Sequence, residues 1–422
     1  MDICPLYITK EGITMGDYPV RVTIEEGRDR ILGRIIIVGV EYVSVEDCDG
    51  RILAEDILAK ENIPPFPRSP YDGYAFRACD TKGADKEHPV TFTIVEELPA
   101  GKAPTKTINK NEAAKILTGA PVPEGADVIE AFEHTEFTES EVTVFKEYKP
   151  DTNIVPVGED VKIGQKLLEK GMLLTPSDVG LLAGLGFAEV PVYKKPTAAL
   201  ISTGSELMPP GTELPMGKIR NSSAYALKGY LEKAGAQVHL SGIVKDEAAV
   251  IAERIRKEAE EADVIVTTGG VSVGDYDMVL SALDLLGAEI LFWKLQMKPG
   301  MAFVSAVYKD KLILALSGNP SSAAISLFLV GLPGIRKMTG RADYRTEEIL
   351  VTLQESFPKS SPARRLIPGK LRIINGEAHI DMKPRQGNGM LLHLHGCDVL
   401  AELPAGSAPV MAGEKVRGYL IF

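Results

Sequence analysis

The sequence predicts a multidomain protein, α/β plus β, and three observations carry that prediction. Between residues 196 and 345, short apolar stretches that end in Gly or Pro turns alternate with helical patterns, as in a mostly parallel sheet covered on both faces. Residues 66–160 and 346–422 read instead as short strands with little helix. At 422 residues the chain is long enough for about three domains with substantial cores.

Taken in order, residues 20–60 and 165–187 look helical or mixed, and the two separated stretches could build one linker. Residues 66–160 carry strands in "VTFTIVEELPAG" and "EVTVFKEY", joined by turns such as "GAPVPEGAD". The central part offers five strands: "TAALISTGSEL", "AQVHLSGIVKDE", "ADVIVTTGG", "EILFWKLQMKPG" and "KLILALSGNP". Helical patterns fall at 222–233, 247–261, 278–286 and 321–330; in the second, Val250, Ile251, Ile255 and Ala259 follow helical spacing with charges opposite. The last part gives "EILVTL", "KLRII", "AHIDM" and "KVRGYLIF", a small β domain. No repeat of fixed period and no low-complexity tract is visible.

Composition narrows the function classes. Hydrophobic residues make up 45% and charged residues 25%, an ordinary soluble balance. The apolar runs 35–40 and 312–316 are too short to cross a bilayer, so no membrane partner is expected. A net charge of −11 argues against nucleic acid, whose phosphates need a basic surface. Cys4, Cys48, Cys79 and Cys397 are scattered and form no CxxC pair, and "MDICPLYITKEG" shows no secretory pattern. A reducing cytoplasm is the expected home.

The chemistry gathers in turns. In an open parallel sheet, ligands bind beyond the carboxyl ends of the strands. Three such ends carry Gly with Ser or Thr: "STGSEL" (202–207), "TTGGVSVGDYD" (267–277) and "LSGNPSSA" (316–323). Gly lets backbone approach a ligand closely, and bare amides cradle phosphate. One such turn is ordinary loop chemistry; three on adjacent strand ends point to a shared phosphate-binding crevice built by Thr268, Gly269, Gly270, Ser272, Gly318 and Asn319. Glu206, Asp246, Asp275 and Asp277 lie just past strand ends and could hold one magnesium ion against a phosphorylated ligand. Asp246 could equally N-cap the helix after it. Asp275 and Asp277 alternate, so both need not point inward, and Asp277 is the preferred ligand. Lys294 and Lys298 in "FWKLQMKPG" supply positive charge from a strand expected beside "TTGG", with a solvated basic edge as the alternative. P-loop, GxGxxG, HExxH and GxSxG signatures are absent. His393 and His395 of "HLHG" read as surface residues on one side of a strand rather than metal ligands, and Trp293 reads as packing.

"SPYDGYAF" (69–76), "LTGAPVPEGADVI" (117–129), "VGEDVKIG" (157–164), "ISTGSEL", "TTGGVSVGDYD" and "LSGNPSSA" follow in this order. Together they resemble the molybdopterin molybdenumtransferase family, the bacterial MoeA proteins and the gephyrin E domain. The likeness runs from about residue 20 to "LPAGSAPVMAGEKV". It implies a segmented linker and dimerisation domain (1–65 and 161–195), a β-rich domain (66–160), a molybdopterin-binding-like α/β domain (196–345) and a C-terminal β barrel (346–422). It further implies an elongated homodimer in which the β-rich domain of one subunit faces the α/β domain of the other. Adenylylated molybdopterin would come from a MogA-like adenylyltransferase. Molybdate, or tungstate, and a divalent ion such as Mg2+ would be used, AMP released, and the cofactor passed to a molybdoenzyme or its chaperone.

By motif, the resemblance assigns ligand contacts across the dimer to Asp72 of "DGYA" and Thr118 of "TGAP", with Asp160 of "GEDV" in the same acidic group. Glu206, Asp246 and Asp277 match functional carboxylates, Lys294 and Lys298 match the lysines of a "WK…KPG" segment, and Pro320 matches the proline of "GNP". Arg364 or Arg365 lies near an arginine associated with the oxyanion. Four positions depart from the family pattern: Met301 where "KPGKP" has lysine, Ser317 where "LPGNP" has proline, Tyr71 where methionine is usual, and His393 near a usual serine. A divergent paralogue with an altered oxyanion pocket, tuned to tungstate or serving one class of enzyme, is therefore expected. The competing readings are a non-catalytic molybdopterin-binding scaffold or sensor and an unrelated Mg-dependent nucleotide or sugar-phosphate hydrolase.

Overall fold

The structure of the protein, a computed structural model, describes residues 18–271, 278–382 and 390–421. Its centre is a seven-stranded sheet whose strands are β1 (Val20–Val22), β2 (Thr197–Thr203), β3 (Gln237–Val244), β4 (Val264–Thr268), β5 (Glu289–Leu295), β6 (Phe303–Tyr308) and β7 (Lys311–Leu316). The spatial order is β1-β5-β6-β7-β4-β2-β3. Only β6 runs against its neighbours. The inner strands β2, β4, β6 and β7 are buried over most of their length, as a sheet covered on both sides requires, whereas the edge strand β3 carries Gln237, His239 and Ser241 and is partly exposed. Successive residues alternate between two half-cores: Val264 and Val266 face one and Ile265 the other. The first half-core is closed by the helices Ile24–Leu32, Ser223–Lys233 and Leu332–Met338, the second by Ala248–Glu258 and Met278–Leu286.

Two features of this sheet differ from the sequence reading. Residues 20–32, placed in the linker, belong here: β1 pairs with β5 in parallel, and a Thr23–Glu26 capping box starts a helix that buries Ile24 and Ile31 on the sheet. Three residues of strand are too few to show a period. The strand β6 was not anticipated, because the run from Ala302 to Leu316 is apolar on both sides of a hairpin turn made by Lys309 and Asp310. Both have positive φ, 49° and 61°, the backbone of a two-residue hairpin loop usually signalled by Asn-Gly. The intrusion of β6 and β7 places the Lys294 strand away from "TTGG"; the neighbours of β4 are β7 and β2.

Outside the sheet, Val40–Ser44 pairs with Glu189–Tyr193 and Ile57–Leu58 with Lys166–Leu168, so two distant stretches share one core around Leu53, Leu174 and Leu182. Residues 73–144 form a six-stranded sheet. The C-terminal strands Glu348–Leu353, Arg365–Ile374, Glu377–Met382, Val399–Leu403 and Lys415–Leu420 close into a barrel. Among the described residues no helix is long and apolar enough to cross a membrane.

Candidate active site

The three glycine turns leave the carboxyl ends of β2, β4 and β7, which are adjacent in the sheet in the order β7-β4-β2. They touch through backbone. A Cβ on Gly318 would stand 3.4 Å from the Gly269 Cα. At Gly270, φ is +65°, and a Cβ there would come within 2.9 Å of Asp246 Oδ1, Thr203 Oγ1 and Val279 Cγ2. Gly204 has φ +142°, and the Glu206 carboxylate folds back to within 2.8 Å of where its Cβ would be. Side chains at these positions would fill the turns and displace the acids. Thr268 and Ser317 link two turns, the Thr268 hydroxyl donating to the Ser317 carbonyl at 3.3 Å, and the Asn319 amide donates to Ser317 Oγ. Beyond them Pro320 opens the helix Pro320–Ser326.

Among the described residues, no salt bridge is formed by either acid of this crevice, Glu206 or Asp246. Asp246 does not cap the next helix: Glu247 holds that position and no side chain bonds there. The Asp246 carboxyl is held above the ordinary carboxylate range, first by burial and then by the Glu206 carboxylate, with the Thr203 hydroxyl opposing. Such a pair of oxygen donors suits a hard divalent cation. Among the described residues no cluster of three or more His, Cys, Asp or Glu forms. Ser272, Asp275 and Asp277 lie outside the described residues.

Lys294 lies near the end of β5, two strands removed from β4, and Lys298 follows that strand in a turn. Lys294 is buried, and its Nζ lies 3.8 Å from the centre of the Trp293 ring. Lys298 is exposed on a turn that the C-terminal barrel grips: its amide donates to the Arg364 carbonyl, and its carbonyl accepts from Leu366. The same turn rests on the helix after "GNP", where a Cβ on Gly300 would stand 3.1 Å from Ser326 Cβ.

Arg364 differs from its sequence expectation. Its guanidinium is not free for an oxyanion: Nη1 donates to both Glu25 oxygens at 2.8 and 2.7 Å, and Nη2 to Glu402 and the Tyr419 hydroxyl, each at 2.8 Å. Arg365 is the less committed of the two, with one bond to Ser361 and a stack over Phe357. The histidine reading is also corrected. Residues 391–393 form a 3-10 turn, not a strand, and the two imidazoles part company: His395 is exposed, while His393 is buried with Nδ1 2.7 Å from Ser321 Oγ. Burial pushes the His393 imidazole below its usual value.

Asp72 and Thr118 meet in the six-stranded unit, where the Thr118 amide and hydroxyl both donate to Asp72 Oδ1 and hold that carboxyl below its usual range. Asp160 is exposed in a separate turn, its amide bonded to the Ile63 carbonyl. Among the described residues, none of these three has a hydrogen bond or ion pair to the crevice. The sequence reading missed Asn221, which braces β2 by donating to Ser202 Oγ at 2.8 Å and accepts from the Ala224 amide; "NSSA" ahead of a helical pattern was its available signal.

Three family models match in series: the MoeA N-terminal region (domain I and II) at residues 22–186, a probable molybdopterin binding domain at 199–337, and the MoeA C-terminal region (domain IV) at 351–421. The molybdopterin molybdenumtransferase of Staphylococcus epidermidis is 35% identical over 395 residues, 94% of each chain, and that of Staphylococcus aureus is 34% identical over the same share. Two crystal structures of the molybdopterin biosynthesis MoeA protein from Pyrococcus horikoshii superpose with TM-scores of 0.84 and 0.80 at 30% and 32% identity. Each covers 95% of this chain, and 99% and 100% of its own length respectively.

Proposed function

The chain belongs to the MoeA family of molybdopterin molybdenumtransferases, and from that premise we propose that it inserts molybdate or tungstate into adenylylated molybdopterin and releases AMP. It is a transferase of molybdenum cofactor biosynthesis; the substrate form, the divalent ion and the residue roles are the proposal.

One observation carries it: an acidic pair, Glu206 and Asp246, stands against three backbone-exposing turns on adjacent strand ends. Carboxylates alone would repel a phosphoanhydride, and bare amides alone would not tolerate carboxylates. A cation carried by a phosphorylated ligand reconciles them. The residues fit Mg2+, since the donors are oxygens and the buried Asp246 carboxyl, facing Glu206, would be relieved by a cation. Glu206 and Asp246, with Asp277 and Asp275, would hold it, and the ion would supply neutralisation of charge on the anhydride.

This chain's own groups do the rest. Amides around Thr268, Gly269, Gly270 and Ser272, and those of Gly318 and Asn319 ahead of Pro320, bind the phosphates. Lys294 and Lys298 take up the negative charge that grows on departing AMP. Asp72, Thr118 and Asp160 reach the ligand from the second subunit of a homodimer, a role that rests on their match to the family motifs. A MogA-like adenylyltransferase supplies the substrate in the cytoplasm, and a molybdoenzyme or its chaperone takes the product. Met301, Ser317 and His393 set the oxyanion preference.

The test is AMP release from adenylylated molybdopterin with magnesium, titrating molybdate against tungstate. Release driven by one oxyanion and lost in Asp246→Ala and Asp277→Ala is expected. Tight binding with no release under either oxyanion would make the chain a scaffold, not a transferase. Activity restored on mixing Asp72→Ala with Asp246→Ala subunits checks the shared site.

A further inference from the structure

The backbone at Lys294 is in a conformation that lysine rarely adopts. Its φ is +70°, in the region that an L side chain enters only against steric resistance. The break is visible in the packing. In β5, Phe292 faces one half-core and Trp293 the other, and regular alternation would return Leu295 to the Trp293 side. Leu295 instead lies with Phe292. The alternation fails twice in β5, at a register shift between Ile290 and Phe292 and again at Lys294, the one residue of β5 with positive φ; the second break is shared with β1, where Arg21, between the partners of Trp293 and Leu295, has φ +60°.

The consequence is a contact that a regular strand forbids. Neighbouring side chains of a strand point to opposite faces, yet the Lys294 ammonium sits on the ring of the residue before it, 3.8 Å from the centroid. The other lysine and arginine approaches to rings among the described residues are 4.5 Å or longer. Both partners are buried, Trp293 at 7% and Lys294 at 9% exposure, so water and salt do little to screen the attraction, and tryptophan offers the strongest face of the aromatic side chains. No hydrogen bond among the described residues ties down the buried indole Nε1.

Register sets this contact level with the ends of the crevice strands, with β6 and β7 standing between β5 and β4. Trp293 pairs with Val304, Val304 with Ala315, and Ala315 with Thr267. Lys294 is thus level with Leu316 and Thr268, the last residues before two of the glycine turns. Trp293 also shares its half-core with Val271 and Val279, which flank the "TTGG" turn on one side and the helix Met278–Leu286 on the other. Backbone strain held at such a place marks a side chain kept where regular structure would not put it.

We propose that Trp293 is a positioning residue, whose indole face holds the Lys294 ammonium at the phosphate-binding edge in its charged form. The proposal rests on the reading that Lys294 neutralises the departing phosphate. It adds the group that aims the lysine.

Trp293 is the single tryptophan of the chain, so biosynthetic incorporation of mono-, di- and trifluorinated tryptophan alters this ring alone. Fluorine withdraws charge from the face while nearly preserving shape. AMP release is measured along the series, and the fluorine NMR shift of the unliganded protein is compared with that of Lys294→Met. The expected result is a stepwise fall in kcat/KM, about three- to thirtyfold from native to trifluorinated tryptophan, with a fluorine shift that moves in Lys294→Met. A residue that only packs would show a flat series, and a flat series overturns the proposal. The two levels separate cleanly. A slow Lys294→Met enzyme with a flat series leaves the site reading standing and removes Trp293 from it. A Lys294→Met enzyme at the wild-type rate removes the lysine from the chemistry and the proposal with it.

Discussion

Gly270→Ala tests how the crevice is built, because a matched control exists in the same domain. Gly270 and Gly287 have the same φ, +65°, but a Cβ on Gly287 meets nothing within 4 Å, whereas one on Gly270 meets three atoms at 2.9 Å. The two substitutions share the left-handed penalty, about 1 kcal/mol. Only Gly270→Ala adds the collision. Thr203 and Val279 are buried and β-branched, with little rotamer freedom to move aside, so overpacking should contribute a further 1–3 kcal/mol or so, roughly the range for an added methyl in a tight core. Asp246 ends in a carboxylate that can swing, and it yields first. Denaturant unfolding followed by Trp293 emission reports this domain, since the single tryptophan shares a half-core with Val279. The midpoint of Gly270→Ala should fall well below that of Gly287→Ala at a common slope. AMP release should drop about a hundredfold in Gly270→Ala, as for a reacting group displaced by about 1 Å, and hold in Gly287→Ala. Equal midpoints would refute the close approach of Asp246, Thr203 and Val279 on which the site rests.

Other predictions follow from single contacts. Arg364→Ala leaves Glu402 buried without its cation and should destabilise the barrel by about 3–5 kcal/mol, read as a loss of hydrogen-exchange protection in Arg365–Ile374. Asp246→Asn should raise stability at neutral pH while abolishing AMP release. The wild-type carboxyl is raised, so the native state binds the extra proton and loses stability as pH climbs from the ordinary value of about 3.9 through its native value; the gain should vanish below that window in a pH series of unfolding midpoints. Added Mg2+ should stabilise the wild-type chain and not Glu206→Gln, checked by thermal shift. For His393 the sign is opposite. Its imidazole is lowered, so the unfolded state takes the proton first and stability declines as pH falls below about 6.5, a slope that His393→Gln should flatten.

What the sequence discloses is what is local. Glycine and serine at strand ends, alternation of strand with helix, and the short β runs of the flanks each act within a few residues, and the α/β sheet and the β character of the flanks were legible from them, while the barrel was implied only by the family resemblance. Pairings across long intervals were not. The strand Val20–Val22 has no period of its own and exists because β5 offers it an edge. The strand Phe303–Tyr308 hides in a continuous apolar run, since its turn uses Lys309 and Asp310 where Asn-Gly would have announced it.

The same distinction explains the site residues. Glu206 and Asp246 come together because each follows its own strand by two or three positions, so topology brings them to one edge. The resemblance puts Arg364 or Arg365 near the oxyanion, and nothing in the chain around Arg364 discloses Glu25, some 339 residues earlier, which takes its guanidinium. His393 looked like half of an exposed alternation until Ser321 buried it. Both side chains tie the C-terminal barrel to the α/β unit, at Glu25 on the first helix and at Ser321 just past "GNP". The barrel also grips the backbone of Lys298. A lysine proposed to neutralise the departing phosphate is therefore held by a domain that contributes no glycine turn to the crevice, and its reach depends on contacts that no local pattern could encode. Loosening Arg364 should accordingly slow AMP release through Lys298 even where the glycine turns stay intact.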